Sequence, residues 1–430
     1  MSLHKYARLL TLLRNERRPL GQLLGEQERA LRALVQHSYR NVPFYRQRLD
    51  AAGVGPDDIA SAADLQRLPV LTKGELAAQP LERVLDTTAE RGSLRLQTTS
   101  GSSGSPFRFY LDRRFDDYCK AQFLRPYFST GRRLRDRVLR IRAHLREQRE
   151  WFHRLRLLRE SQVLCEAPAE EMAARYRETR PDIVMGYPST LSLLAEGLAG
   201  GGPDFSRPRI VYSDSELLTP ATRARIAAAF DAPVLDVFGM YETDNIAWQC
   251  RPDSGYHLAI DSVIAEVLHD GRPVSPGETG ELVCTVLFNY AMPMIRYNTG
   301  DLVRLAAEPC SCGRTLPTLD LIEGRDIDRV LLPDGSSTSA MRFLSRLSDL
   351  AGTVTGYQVQ QLAVNRFRVL LSTRDPLDEH TRQQVGDAIR SSHPEATIDI
   401  VATDDIPAGT TGKRRQFVSR TAGATAGVDG

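Results

Sequence analysis

Gln97-Thr-Thr-Ser-Gly-Ser-Ser-Gly-Ser-Pro106, followed at once by Phe107-Arg-Phe-Tyr-Leu111, sets a run of hydroxyls and glycines between two strand-like segments, Ser93 to Gln97 and Phe107 to Leu111. Glycine permits close backbone approach and left-handed turns, while Ser and Thr add hydroxyl donors around a nest of N–H groups. That chemistry suits the β- and γ-phosphates of a nucleotide. The run is not the common P-loop: no Gly-Lys-Ser/Thr closes it, and a strand rather than a helix follows. Alone, it would read as a flexible linker. The flanking strands and the rest of the chain reverse that reading.

Working outward, the chain organises into three stretches. Residues 1 to 90 read as helical, with Leu9, Leu13, Leu20, Leu24 and Leu31 to Val35 at helical spacing. From Arg91 to about Gly324 strand-like and helical runs alternate. Strands are expected at Arg137 to Arg142, Ile183 to Met185, Ile210 to Ser213 and Val234 to Phe238. Helices are expected at Ser189 to Gly200, capped by Ser189, and at Thr219 to Phe230. This alternation argues for an α/β layer with a parallel sheet and ligands at strand ends. Val263 to Leu268 and Gly280 to Val286 then suggest an antiparallel segment. The tail differs: Val359 to Ala363, Arg366 to Ser372, the helix Glu379 to Ser391 and Thr397 to Val401 suggest a compact α+β unit. The expected domains are therefore 1–324 and 325–430, with the boundary at Arg325 to Asp328. The Ala/Gly/Thr-rich end, 421–430, reads as disordered.

At 430 residues the chain can bury a large core and a second, smaller domain. Its formal net charge of +2 is small, and charges of both signs are interspersed, which argues against a nucleic-acid surface. The arginine-dense stretch Arg125 to Arg159 reads as a solvated helical face or an anion-facing surface. No apolar run approaches the ~20 residues needed to span a bilayer. Met1 to Leu24 lacks the features of a signal peptide, so a cytoplasmic protein is expected. A homodimer is left open. Only four lysines occur, at 5, 73, 120 and 413. A lysine inside the glycine turn Thr411-Gly-Lys413 therefore invites a chemical reason, because an ammonium enters a crowded phosphate site where a guanidinium is too wide.

Further motifs follow the hydroxyl loop in order: Asp236-Val-Phe-Gly-Met-Tyr-Glu242, Arg296-Tyr-Asn-Thr-Gly-Asp301, Gly324-Arg-Asp-Ile-Asp328 and Thr411-Gly-Lys413. Together they resemble the adenylate-forming enzymes: acyl-CoA ligases, luciferases and peptide-synthetase adenylation domains. With Ser38-Tyr-Arg-Asn-Val-Pro-Phe-Tyr45 and Leu68-Pro-Val-Leu-Thr-Lys73, the chain looks like the branch holding phenylacetate-CoA ligases, CapK and coenzyme F390 synthetases. The resemblance runs from about Arg32 to Phe417.

That resemblance implies a large N-terminal α/β domain, a small mobile C-terminal α+β domain, and an AMP-forming ligase. A small carboxylic acid would attack the α-phosphate of ATP, with Mg²⁺ present, and the acyl group would pass to a thiol acceptor, coenzyme A. An amine acceptor, nucleotidyl transfer to a phenolic cofactor, or a nucleotide-binding homologue without chemistry are the alternatives. Charge builds on phosphoryl oxygens and on departing pyrophosphate, so such catalysis needs cations and aimed donors. By motif position, Thr98, Thr99, Ser100, Gly101, Ser102, Ser103 and Gly104 would hold the β,γ-phosphates. Glu242 would bind Mg²⁺, Asp301 the ribose, and Arg325 the ribose or a phosphate, while Asp236 would accept from the adenine amino group. Phe238, Gly239 and Tyr241 would complete the nucleotide site. Lys413 would bridge the acyl carboxylate and the α-phosphate, and Asp328 would be the hinge. An apolar acyl pocket is expected near Tyr187, Pro188, Ser189 and Met240.

Two departures stand out. The family's usual Tyr-Gly-x-Thr/Ser-Glu is Phe238-Gly-Met-Tyr241-Glu242 here, so the small hydroxyl next to the α-phosphate is missing or supplied by Tyr241. Leu331-Leu-Pro-Asp-Gly-Ser336 looks more like CapK than like a phenylacetate-CoA ligase.

Cys250-x6-His257 and Cys310-Ser-Cys312-Gly313 make a Cys₃His set that suits structural tetrahedral Zn²⁺. The resemblance agrees, since some members of this branch carry zinc in this region. Cys119, Cys165 and Cys284 are expected to fill core gaps.

Overall fold

The computed structural model describes residues 4–98, 107–146, 154, 155, 157–198, 205–325, 329–333, 337–340, 344, 346, 347, 350, 354–373, 375–391, 393–403, 406, 407 and 416–421. Residues 99–104, Asp328, Lys413 and the tail from 422 lie outside the described residues, as do the side chains of Thr98 and Arg325. The chain divides into two compact units, one made of 1–131 and 237–322, the other of 132–236 and 323–430.

The first unit opens with the helices His4–Asn15, Leu20–Asn41 and Pro43–Ala51. Leu20–Asn41 turns Leu23, Gln27, Leu31, Leu34, Val35 and Ser38 inward at helical spacing, so one apolar face meets the core. Pro43 stands at the first helical position of the next helix, where its fixed φ is already suitable. The expected strands flanking the hydroxyl loop form as Arg95–Thr98 and Arg108–Leu111, paired antiparallel with Gln97 opposite Phe109. Val263–His269, Thr279–Val286 and Tyr297–Leu305 make an antiparallel meander, with Ala265 opposite Cys284 and Cys284 opposite Tyr297. Its inward residues join Leu31, Leu34, Val35, Leu49, Phe109 and Met294 in one core.

The second unit holds the expected parallel layer. Val138–Arg142 pairs in parallel with both Glu160–Leu164 and Ile183–Gly186, and Ile183–Gly186 pairs in parallel with Ile210–Asp214. Helices Ala169–Thr179, Pro188–Gly197 and Pro220–Phe230 cover it, closing a core around Leu139, Met172, Tyr176, Val184, Leu191 and Phe230. A separate core around Val359, Phe367, Val369, Val385 and Ile389 belongs to the C-terminal α+β segment. There Arg366–Thr373 pairs antiparallel with Val354–Ala363 and parallel with Thr397–Ala402.

Two expectations need correction. Ser189 does not cap its helix: Tyr187 is the cap residue and Pro188 the first helical position, because proline's φ selects that place. The hydroxyl that accepts from the Tyr187 N–H is that of Thr190, at 3.1 Å. The arginine-dense stretch is not uniformly solvated, since Arg125, Arg132 and Arg140 are buried. The cysteines outside the Cys₃His set meet expectation: Cys165 and Cys284 are buried in the core, and Cys119, partnered by Asp244, packs against it.

Candidate active site and metal-ligand cluster

Strand Val234–Met240 turns through three residues into Asp244–Gln249 as an antiparallel hairpin, with Met240 opposite Asp244 and Val237 opposite Trp248. Asp244 closes the turn at φ 61°, the left-handed residue that such three-residue loops require. Gly239 is obligatory there, because a Cβ would sit 2.4 Å from the Asp244 carbonyl oxygen. The turn buries Glu242, only 4 % exposed, and sends Tyr241 outward at 52 %. The buried hydroxyl of the turn is therefore that of Thr243, which donates to the Asp244 carbonyl at 3.1 Å. Helix Arg113–Ser129 holds the hairpin from one face. The side-chain N–H of Gln122 donates to the Asn245 carbonyl at 3.0 Å, and the Asn245 amide donates back to Gln122 and Phe123 carbonyls. Burial pushes the Asp244 carboxyl up to about 7, with the Asn245 N–H and the Cys119 thiol acting against the shift. Sequence reasoning missed Thr243 and Asp244, although Asp in a hairpin turn was the available signal.

Asp301 is presented differently. Register between Thr279–Val286 and Tyr297–Leu305 passes from Glu281 opposite Leu302 to Val283 opposite Asn298, so Thr299 to Asp301 bulge from the ladder. Gly300 makes the bulge at φ 74°, and its N–H donates to the Asn298 side chain at 2.8 Å. Thr299 Oγ1 accepts from the Asp301 N–H at 3.1 Å and donates to the Leu282 carbonyl at 3.0 Å. Asp301 itself is buried. Arg296, which opens the motif, has a structural role: at φ 55° its guanidinium meets Glu266 at 2.9 Å and also donates to the Leu68 carbonyl. Its own carbonyl accepts from the Leu71 N–H at 2.7 Å, which ties the Leu68-Pro-Val-Leu-Thr-Lys73 motif to the same strand.

In the second unit, Asp236 is buried on strand Val234–Met240, and Tyr187 and Pro188 are buried just past the end of Ile183–Gly186. Ser189 donates from both its N–H and its hydroxyl to Glu216, each at 3.0 Å. In the first unit, Phe238 and Met240 are half-buried on the hairpin.

The four cysteine and histidine ligands converge. Their ligating atoms all lie within 4.8 Å of one another. Cys250 Sγ is 3.7 Å from Cys310 Sγ, and Cys312 Sγ is 3.4 Å from His257 Nε2. Pairing explains the convergence: His257 lies opposite both Trp248 and Thr318, so Cys250 at the end of one neighbouring strand and the Cys310–Cys312 turn before the other are drawn together. Gly313, at φ 79°, reverses the chain after the turn. Burial brings His257 down to about 4, aided by the positive charge of Arg314, so the imidazole is neutral at pH 7. Burial opposes a Cys312 thiolate, but hydrogen bonds from the Arg314 backbone and side chain, and from the other two cysteines, bring it down to about 7. Cys250 is pushed up to about 11 by burial, against a hydrogen bond from Ser254.

Arg314 leads from this cluster into a buried charge network. Its Nε meets Glu16 at 2.8 Å, and Glu16 also meets Arg125 at 3.2 Å. Arg125 pairs with Asp261 at 2.6 Å and lies over the Trp248 ring, 4.7 Å from its centroid. Asn15 completes Asp261 at 2.7 Å. No sequence motif announced these residues.

No protein-family model matches the chain. It is 29% identical over 342 residues to the phenylacetate-coenzyme A ligase of Escherichia coli K12, covering 73% of each chain. It is 20% identical over 303 residues to Protein CapK of Staphylococcus aureus, covering 68% of this chain and 65% of that one. Its fold is like that of 2-hydroxyisobutyryl-CoA ligase in the postadenylation state, with a TM-score of 0.79 at 22% identity over 94% of this chain and 91% of the other. No helix among the described residues is long and apolar enough to cross a membrane. In sequence the chain is thus similar to the phenylacetate-CoA ligases and to CapK, and in fold it is like 2-hydroxyisobutyryl-CoA ligase, in agreement with the resemblance its motifs carry.

Proposed function

We propose that the protein is an ATP-dependent, AMP-forming ligase that activates a small carboxylic acid and passes it to the thiol of coenzyme A. The carboxylate oxygen attacks the α-phosphorus of ATP, the bond to pyrophosphate breaks, and an acyl-adenylate forms. The thiol sulfur then attacks the acyl carbon, AMP leaves, and the thiol proton passes to solvent. The observation that carries this reading is the presentation of two buried carboxylates, Glu242 in a hairpin turn and Asp301 in a strand bulge. Each occupies the position that the family's motifs give it, and each rests on a glycine that its backbone requires.

In this reading Glu242 offers an oxygen to Mg²⁺, which suits a hard cation that keeps most of its waters. The bound ion would neutralise phosphate charge. Asp301 accepts from the ribose hydroxyls, joined by Arg325, and Asp236 accepts from the adenine amino group. The 98–104 loop cradles the β,γ-phosphates, with Phe238, Gly239 and Tyr241 beside the nucleotide. Tyr187, Pro188 and Met240 line the acyl pocket. Residues 325–430 form the small domain that turns about Asp328 and delivers Lys413. The enzyme works in the cytoplasm, where ATP and coenzyme A are at hand.

Cys250, His257, Cys310 and Cys312 would hold one structural Zn²⁺. At Zn–S distances of about 2.3 Å a tetrahedron has edges of about 3.8 Å, which the 3.7 Å Cys250–Cys310 separation fits. Bound there, the ion would staple the segment after the Glu242 hairpin to the turn before Thr318–Arg325.

The test is exchange of labelled pyrophosphate into ATP with a panel of carboxylic acids. Acid-dependent exchange supports the reading, and none with any acid would contradict it.

A further inference from the structure

Three guanidiniums gather where the parallel strands of the second unit end at their carboxyl side, the edge at which such sheets bind ligands. Arg140 and Arg142 lie two residues apart on Val138–Arg142 and so share one face of that strand. Arg140 stands opposite Met185 in the register with Ile183–Gly186, which sets Arg142 beside Tyr187, two residues farther along. Arg146 follows on the same connection.

Their partners differ. Arg140 meets Asp214 at 3.1 Å, and nearby Arg132 meets Glu160 at 3.1 Å. Glu216 accepts the two Ser189 hydrogen bonds. Arg142, by contrast, donates to the neutral side chain of Gln162 at 3.3 Å. That oxygen also accepts from the Arg146 N–H at 2.9 Å, while the Gln162 amide donates to the Arg146 carbonyl at 2.8 Å. Burial, reinforced by the like charges of Arg140 and Arg146, pulls Arg142 down to about 10, with Glu160 and Tyr187 acting the other way. A half-buried guanidinium that feels two others, served by half of an amide oxygen, is a costly arrangement that an incoming anion would relieve.

We infer that Arg142, beside Tyr187, receives a second anionic group on the acid substrate, so that the enzyme favours acids carrying a further carboxylate over simple monoacids. The inference rests on the proposed ligase function and on Tyr187 lining the acyl pocket. It adds a charged group to the apolar pocket expected there and names the substrate class.

The test uses matched pairs, benzoate against isophthalate and phenylacetate against 1,3-phenylenediacetate, in pyrophosphate exchange without coenzyme A. Omitting coenzyme A removes its phosphates as the source of the anion. Wild type should favour the diacid of each pair by ~10- to 100-fold in kcat/KM, the scale of one charge-assisted hydrogen bond. Arg142→Met should collapse that ratio through KM, and Arg142→Lys should restore part of it. Direct titration with isophthalate should show tighter binding to wild type than to Arg142→Met, independently of turnover. Exchange with equal ratios in wild type and variant would overturn the inference and leave the ligase reading standing. Arg142-dependent isophthalate binding without exchange for any acid would overturn the ligase reading, and the inference with it. An effect of Arg142→Met confined to the coenzyme A step would also overturn the inference.

Discussion

Cys250 Sγ and Cys310 Sγ stand 3.7 Å apart, sixty residues distant in sequence, too far for a disulfide and at the edge length of a zinc tetrahedron. Purified protein should carry about one zinc per chain by elemental analysis, as one four-ligand site implies. Cys310→Ser should lower both the metal content and the Tm, and should reduce activity only through stability. Metal-free protein with unchanged Tm and full activity would rule this site out.

The charge network behind that cluster gives a separate prediction. Arg125 is fully buried between Glu16 and Asp261. Arg125→Met keeps most of the volume but strips the buried Asp261 of its guanidinium and leaves Glu16 paired to Arg314. Breaking a buried pair in this way costs about 3–5 kcal/mol, read by urea unfolding of the full chain. A loss below about 1 kcal/mol would mean that water or neighbouring groups already satisfy these carboxylates.

Asp301 should act on nucleotide affinity. With the bulge intact, Asp301→Asn keeps the shape and removes the charge proposed to receive the ribose hydroxyls. The expected effect is a ~10- to 100-fold rise in KM for ATP, the range of one hydrogen bond to a charged group, with little change in KM for the acid. Gly300→Ala tests the frame instead, because φ 74° strains any residue with a Cβ. It should lower stability and nucleotide affinity together. Unchanged ATP kinetics in Asp301→Asn would remove the ribose role.

The sequence made most of the frame legible because local signals were strong. The strands flanking the hydroxyl loop, the helix start at Thr219-Pro220 and the converging Cys₃His set could each be seen from spacing and residue type. Other features depend on distant partners. Asp244–Gln249 is buried at four successive positions, so it shows no alternation by which a strand could be recognised. Tyr297–Leu305 is interrupted by its own bulge at Thr299 to Asp301. Arg125 reads as one arginine in a basic run, and its carboxylates come from residues 16 and 261. Ser189 misled because a good capping residue lay next to a proline that had already fixed the helix start.

Lys413 should matter to one half-reaction. Lys413→Ala is expected to lose ~10²-fold or more in adenylate formation, the scale of removing one electrostatic stabiliser, while ATP binding changes little. Supplied with chemically made acyl-adenylate and coenzyme A, the same variant should form thioester at nearly the wild-type rate. Wild-type adenylation by the variant would take Lys413 out of the mechanism.

Product analysis decides whether the protein is an AMP-forming ligase that uses coenzyme A. The enzyme would be incubated with ATP, Mg²⁺, coenzyme A and an acid that supports pyrophosphate exchange, and the products resolved by mass spectrometry. Acyl-coenzyme A and AMP in equal amounts, with pyrophosphate, are the predicted result. AMP retained covalently in the final product, or acyl-adenylate consumed only by an amine and never by coenzyme A, would contradict the account.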